Sequence, residues 1–356
     1  MGSREQEEQI MVLFHNDYCE GCHESILHAL KEHNLVQTNG YGEDEICRQA
    51  ADKIRKACKD DKLNVHFLVG GTQTNLTVID AALRPHQGVI SAVSGHIHVH
   101  ETGAVEATGH KVLAVPSDNG KITANQVEQV VLEQRNSGSA EHMVQPKMVY
   151  ISNPTELGTI YTLQELEELS QMCRQYGLYL FLDGARLGYG LQAQGNDVTL
   201  PDLARLCDVF YIGGTKVGAL FGEAVVIRNE NINEDFRYLI KQHGGMLAKG
   251  WLLGMQFDAL FEDGLYFKIA ERADRLADKI RETLDEFGCR YLVPGTTNQI
   301  FPVLSDAALD KLGKNFTFSE QERVDDTHRA VRFCTSWATT EENVDALCAA
   351  LREVLR

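Results

Sequence analysis

The sequence predicts an α/β protein, with a mostly parallel central sheet, helices on both faces and a smaller α+β domain. Three observations predict it. Up to residue 227, short apolar runs alternate with longer amphipathic stretches, the pattern of strand–helix repeats. One run, Leu178-Tyr179-Leu180-Phe181-Leu182, is apolar throughout, as a strand covered on both faces must be. Beyond Asn229 the alternation gives way to long amphipathic stretches and a few short strands, the make-up of a separate α+β unit.

Taken in order, residues 1–45 form an N-terminal segment that packs with the small domain. It holds the short apolar piece Met11-Val12-Leu13-Phe14, a helix over 24–32 and a turn at Gly40-Tyr41-Gly42. The large domain spans 46–230. It opens with a helix over 44–60, and strands follow at 65–69, 88–93, 147–152, 178–182 and 209–212, with helices at 73–83, 125–134 and 163–176. Residues 222–227 follow Lys216 too closely for a crossover helix, so that strand turns back antiparallel. The small domain, 231–356, is expected to carry long helices over 236–263 and 267–287. Strands at 289–293, 299–303 and 330–335 and a closing helix over 341–354 complete it.

With 356 residues and 43% hydrophobic content the chain can bury a large core. Its net charge of −17 disfavours nucleic acid or an anionic membrane as partner. No apolar run reaches the roughly 18 residues of a membrane span, and the acidic, polar start at residues 1–8 is unlike a signal peptide. The nine cysteines form no compact framework, which fits reduced thiols and a cytoplasmic location. Cys19 and Cys22 make a CxxC with no second pair, and read as ordinary thiols in a loop.

The chemistry concentrates where strands end. The 178–182 strand runs into Asp183-Gly184-Ala185-Arg186, and the 209–212 strand into Gly213-Gly214-Thr215-Lys216. In parallel sheets ligands bind beyond the carboxyl ends of the strands, so Asp183, Arg186 and Lys216 should share one cleft. A carboxylate, a guanidinium and an amine together suit pyridoxal phosphate (PLP), which has a pyridine nitrogen, a phosphate and an aldehyde. Gly71-Thr72-Gln73, at a strand-to-helix turn, offers free N–H groups and a helix dipole to an anion. His96-Ile97-His98-Val99-His100 has a competing reading. As a strand it would put His96, His98 and His100 on one face, a metal-ligand geometry for a hydrolase.

LFLDGAR followed by YIGGTKVGALFGEAVV resembles the low-specificity threonine aldolases and their β-eliminating-lyase relatives. These belong to the aspartate-aminotransferase-like PLP enzymes of fold type I, and the likeness runs over nearly the whole chain. It implies that Lys216 bonds the cofactor's aldehyde carbon, Asp183 pairs with the pyridine nitrogen, and Gly71, Thr72, Gln73 and Thr215 hold the phosphate. It further implies that His96 stacks on the ring, with Glu101 holding its neighbourhood and the substrate side. Arg332, with Arg186, would grip the substrate carboxylate. Tyr41, Lys241 and Lys249 would reach a neighbouring subunit's site in a homodimer or homotetramer. The chain departs from the family at Asn153-Pro154-Thr155-Glu156, where the family carries a histidine that contacts the substrate hydroxyl. Glu156 can take that role if its environment gives it a suitable pKa.

The activity implied is cleavage of β-hydroxy-α-amino acids, L-threonine or L-allo-threonine, to glycine and acetaldehyde, with no metal. The same residues would also serve β-elimination, since the fold does not choose the bond that breaks. A non-catalytic interaction protein on the same fold is disfavoured by the retained lysine, aspartate and arginines.

Overall fold

A computed structural model describes residues 11–356, and the acidic start at 1–8 lies outside the described residues. Its centre is a seven-stranded sheet. Across the sheet the strands run Asn64–Leu68, Glu223–Ile227, Val209–Gly213, Tyr179–Asp183, Gln145–Ser152, Gln87–Ala92 and Lys111–Val115. Only Glu223–Ile227 is antiparallel to its neighbours, as its short distance from Lys216 requires. The remaining pairs are parallel.

Side chains alternate along these strands between two apolar layers. Leu180, Leu182, Phe210 and Ile212 enter one core, while Phe181, Val209 and Tyr211 enter the other. Each layer is roofed by helices, which is why the strands are apolar at every position rather than at every second one. The helix Gly71–Ala82 covers the second layer through Val78 and Ile79, and this places its first turn at the carboxyl end of the sheet.

The C-terminal part has its own core, built from Leu276, Ile280 and Leu284 of the Leu265–Asp285 helix and Leu347 and Leu351 of the Glu341–Val354 helix. They pack on an antiparallel sheet centred on His328–Cys334, with Val303–Ser305 and Ser319–Arg323 on either side and Gln299–Ile300 also paired to it. The N-terminal piece Val12–Leu13 pairs in parallel with Phe316–Thr317.

Four expectations are corrected. Residues 236–263 are not one helix: Phe236–Gln242 and Trp251–Phe261 are separated by a loop in which Gly244 adopts φ +75° and Gly245 closes on Gln73. Residues 289–293 form no strand, and only Tyr291 makes a bridge, to Pro302. Lys111–Val115 is an additional edge strand, whose partly exposed pattern lacks the continuous apolar signature of the inner ones. His96–Val99 is a short helix, opened by Gly95 and held by His100 N–H to the His96 carbonyl at 2.9 Å.

Asp274, inside the long helix, is buried with neither carboxylate oxygen in a hydrogen bond of ordinary geometry, although the Asn298 backbone N–H lies nearby. Burial raises its pKa well above the usual range, against the pull of Arg281. The folded protein therefore holds this proton after the unfolded chain has lost it. Its stabilising contribution is complete below about pH 4 and is lost as pH rises, at up to about 1.4 kcal/mol per pH unit. Asp274→Asn is expected to raise the melting temperature, with a larger gain at pH 8 than at pH 5. Thermal melts of both proteins at the two pH values check this.

Candidate active site

Asp183 and Lys216 follow adjacent parallel strands, and the loops after those strands touch backbone to backbone. A Cβ on Gly184 would collide with the Tyr211 carbonyl, and one on Gly213 with the Ala185 carbonyl. Gly213 N–H donates to the Gly184 carbonyl at 2.9 Å. The glycines of both motifs thus bring the two loops together around a cavity of about 340 Å³. Asp183, Arg186, Lys216, Thr215, His96 and Glu156 line it, with Gly71 and Thr72 at one edge.

Asp183 is 4% exposed. Its Oδ2 accepts from Tyr150 Oη at 2.5 Å and from Asn75 Nδ2 at 3.1 Å, and its Oδ1 from Ala185 N at 2.9 Å. Burial and Asp183 itself raise the Tyr150 phenol, so it remains a donor. The Tyr211 phenol, which also lines the cleft, is a further donor to this carboxylate and is raised by burial and by Asp183.

Arg186 does not stand free in the cleft. Its Nε and Nη2 bind Asp17 at 2.7 and 2.9 Å, a bidentate ion pair with Asp17 fully buried. Burial pushes the Asp17 pKa up, but the charges of Arg186 and Lys216 overcome it and hold the carboxyl at about 2. For Lys216 the balance is reversed. Burial first, and then the Arg186 charge, lower its pKa despite the nearby carboxylates. Tyr189 Oη donates to the Lys216 carbonyl at 2.6 Å and fixes the turn that carries the amine.

His96 Nδ1 lies 2.7 Å from Glu101 Oε1, which also accepts from Asn75 Nδ2 at 2.7 Å. With Glu101 ionised, Nδ1 carries the hydrogen. Glu101 has a fully buried side chain behind His96 and does not line the cleft, so it holds the imidazole and has no direct path to a substrate. Glu156 Oε1 accepts from the His96 backbone N–H at 2.9 Å and from Ser152 Oγ at 2.7 Å. Burial, followed by repulsion from Asp183, raises its pKa, while the Ser152 hydroxyl opposes the rise.

The helix Gly71–Ala82 starts with no side-chain cap, so the N–H groups of its first turn are open to an anion. The Gln73 side chain is spent elsewhere, accepting from Val69 N at 3.1 Å and donating to the His243 carbonyl at 3.1 Å, so only its backbone faces this site. Thr215 Oγ1 gives its hydrogen to Glu223 at 3.0 Å and so has none left for a phosphate. Glu223 also accepts from Gly214 N at 3.2 Å, and burial raises it to about 8.

Arg332 stands outside the lining. Its Nη2 donates to the His15 carbonyl at 3.0 Å and its Nη1 to Gln299 at 3.2 Å, while its buried Nε has no partner. Tyr41 and Lys241 lie against each other away from the cleft, the ammonium 5.2 Å from the ring centroid. Lys249 sits in the loop that follows. The metal reading fails on geometry. On a helical turn His96 and His100 face each other, with ring centroids 5.5 Å apart, and His98 points elsewhere. Among the described residues no group of acidic, histidine or cysteine side chains could hold a metal. Cys19 and Cys22 are free thiols that burial pushes above their usual pKa, the opposite of a reactive pair.

Sequence reasoning missed Asp17, Asn75, Tyr150, Ser152 and Glu223. Glu223 had a visible signal, since a carboxylate at the head of the apolar run Ala224-Val225-Val226-Ile227 is rarely buried without a reason. The others carried none.

The β-eliminating lyase family model matches residues 22–307. The chain belongs to that family. It is 30% identical over 334 residues to a low-specificity L-threonine aldolase from Pseudomonas sp. (strain NCIMB 10558), covering 92% of this chain and 93% of that enzyme. A solved threonine aldolase from Leishmania major superposes with a TM-score of 0.94 at 44% identity, over 97% of this chain and all of that one. The aspartate aminotransferase of Thermus thermophilus, at 16% identity and a TM-score of 0.72 over 97% of this chain and 91% of that one, shares the fold. Enzymes of the family use PLP, and the residues fit it. The cleft offers the Asp183 carboxylate, an amine of lowered pKa and an uncapped helix start.

Proposed function

We propose that this lyase cleaves β-hydroxy-α-amino acids, L-threonine and L-allo-threonine, to glycine and acetaldehyde. The observation that carries the reading is Glu156, a carboxylate of raised pKa placed in the same cleft as Lys216, Asp183 and His96. The likeness to threonine aldolases along the whole chain supports the choice of substrate.

Lys216 would bond the aldehyde carbon of the cofactor through an amine whose pKa burial and the Arg186 charge lower, which favours the neutral form that attack needs. The N–H groups at the start of the Gly71–Ala82 helix would hold the phosphate, and the Asp183 carboxylate would keep the pyridine nitrogen protonated. His96, fixed by Glu101, presents its ring to the cleft. When bound, PLP draws electron density from the Cα–Cβ bond that breaks. The Nη1 of Arg186, left over from its pair with Asp17, is available to the substrate carboxylate, and Arg332, whose Nε has no partner, would reach it from outside the lining. Glu156, directly or through a water, takes the proton of the β-hydroxyl as the carbonyl of the departing aldehyde forms.

Incubation of the PLP-loaded protein with each threonine isomer is expected to release glycine and acetaldehyde in equal amounts. Ammonia with 2-oxobutyrate would instead mark elimination and overturn the reading.

As a base, Glu156 must be ionised, and its raised pKa moves the loss of that form upward in pH. The acid limb of kcat/KM is expected to lie above the ordinary glutamate range. Glu156→Gln should remove that limb and lower kcat by about 10²-fold or more while cofactor absorbance persists. A pH–rate profile of both proteins checks it.

We also propose a cytoplasmic homodimer or homotetramer in which Tyr41, Lys241 and Lys249 face a partner's cleft. Exposed Leu35, Val36 and Tyr41 near this region support an interface. Sedimentation velocity is expected to give two or four chains per particle, and a monomer would end the idea.

A further inference from the structure

Asn75 is fully buried one turn into the Gly71–Ala82 helix and does not itself line the cleft. Its single Nδ2 donates one hydrogen to Asp183 Oδ2 at 3.1 Å and the other to Glu101 Oε1 at 2.7 Å. Glu101 Oε1 in turn holds His96 Nδ1 at 2.7 Å. A primary amide is the one uncharged side-chain group that supplies two hydrogens from one atom. It satisfies two buried carboxylates at once and adds no charge between them. The opposite amide orientation would set Oδ1 against both carboxylates, so the electrostatics fix which atom faces them. Asn75 Oδ1 and Glu101 Oε2 are left buried without partners, so Nδ2 is the one polar atom through which Asn75 engages both carboxylates.

We infer that Asn75 is a positioning residue that locks the acid serving the cofactor's pyridine nitrogen to the imidazole presented to the cofactor's face, by way of Glu101. The inference rests on the proposed roles of Asp183 and His96. Donation from Asn75 and Tyr150 holds Oδ2, and with the Ala185 N–H on Oδ1 it sets the plane in which the carboxylate meets the cleft. Without Asn75 the Asp183 Oδ2 keeps Tyr150 but loses its tie to Glu101, and Glu101 is free to draw His96 out of line.

The test compares binding of PLP with binding of its 1-deaza analogue, which has carbon in place of the pyridine nitrogen. Equilibrium dialysis of both compounds would be run on wild type, Asn75→Ala and Asn75→Leu. The leucine variant fills the volume that alanine leaves empty, and circular dichroism verifies folding. Wild type is expected to prefer PLP by about tenfold or more, the worth of one hydrogen bond to a charged group. Both variants are expected to lose most of that preference, because an acceptor that is not aimed cannot distinguish nitrogen from carbon. Equal weakening of both compounds, with the preference unchanged or increased, would reduce Asn75 to a packing role and overturn the inference while leaving the Asp183 reading intact. Equal binding of the two compounds by wild type would overturn the Asp183 reading itself, and the inference with it.

Discussion

The cleft depends on one constraint: a lysine amine must be kept uncharged among buried carboxylates. Burial alone favours the neutral amine, but Asp17, Asp183 and Glu223 all pull the other way. The Arg186 guanidinium adds to burial against them, and Asp17 holds it in place from the far N-terminal segment. Removing one partner of such a buried pair typically costs about 3–5 kcal/mol, since the survivor is left charged without a counter-ion. The pair therefore joins the beginning of the chain to the site and sets the electrostatics there at the same time.

The other charges are arranged around that pair. Asp183 takes hydrogen bonds from a phenol, an amide and a backbone N–H, so it remains a usable acceptor in a low-dielectric place. Burial raises both Glu156 and Glu223, the latter against the pull of Lys216. Two carboxylates in neighbouring positions thus have different tasks. Glu223 braces the Gly214-Thr215 turn that leads into Lys216, while Glu156 faces the cavity with a pKa moved toward the range of a useful base.

The family, the sheet and the two ends of the site could be read before any coordinates. Asp183 ends its strand and Lys216 stands three residues past its own, continuous apolar runs announce both strands, and glycines mark the turns that follow. His96–Val99 was ambiguous because a helix of four residues is shorter than the periodicity that would reveal it. The same limit hid the Gly244 break and the Lys111–Val115 edge strand, where half-exposed positions blur the pattern. Glu101 and Gln73 kept their places in the chain, but their side chains turned inward to His96 and to the His243 loop.

The sequence by itself determined the elements and the residues at their ends, because strand burial, turn chemistry and spacing along one chain are local properties. The tertiary structure alone decided which charges meet. Asp17 finds Arg186 across 169 positions, and Asn75 finds Asp183 across 108. No periodicity encodes such pairings. They exist because folding brings the N-terminal segment, one helix turn and two strand ends to the same point, where each buried charge or polar group must find a partner or shift its pKa.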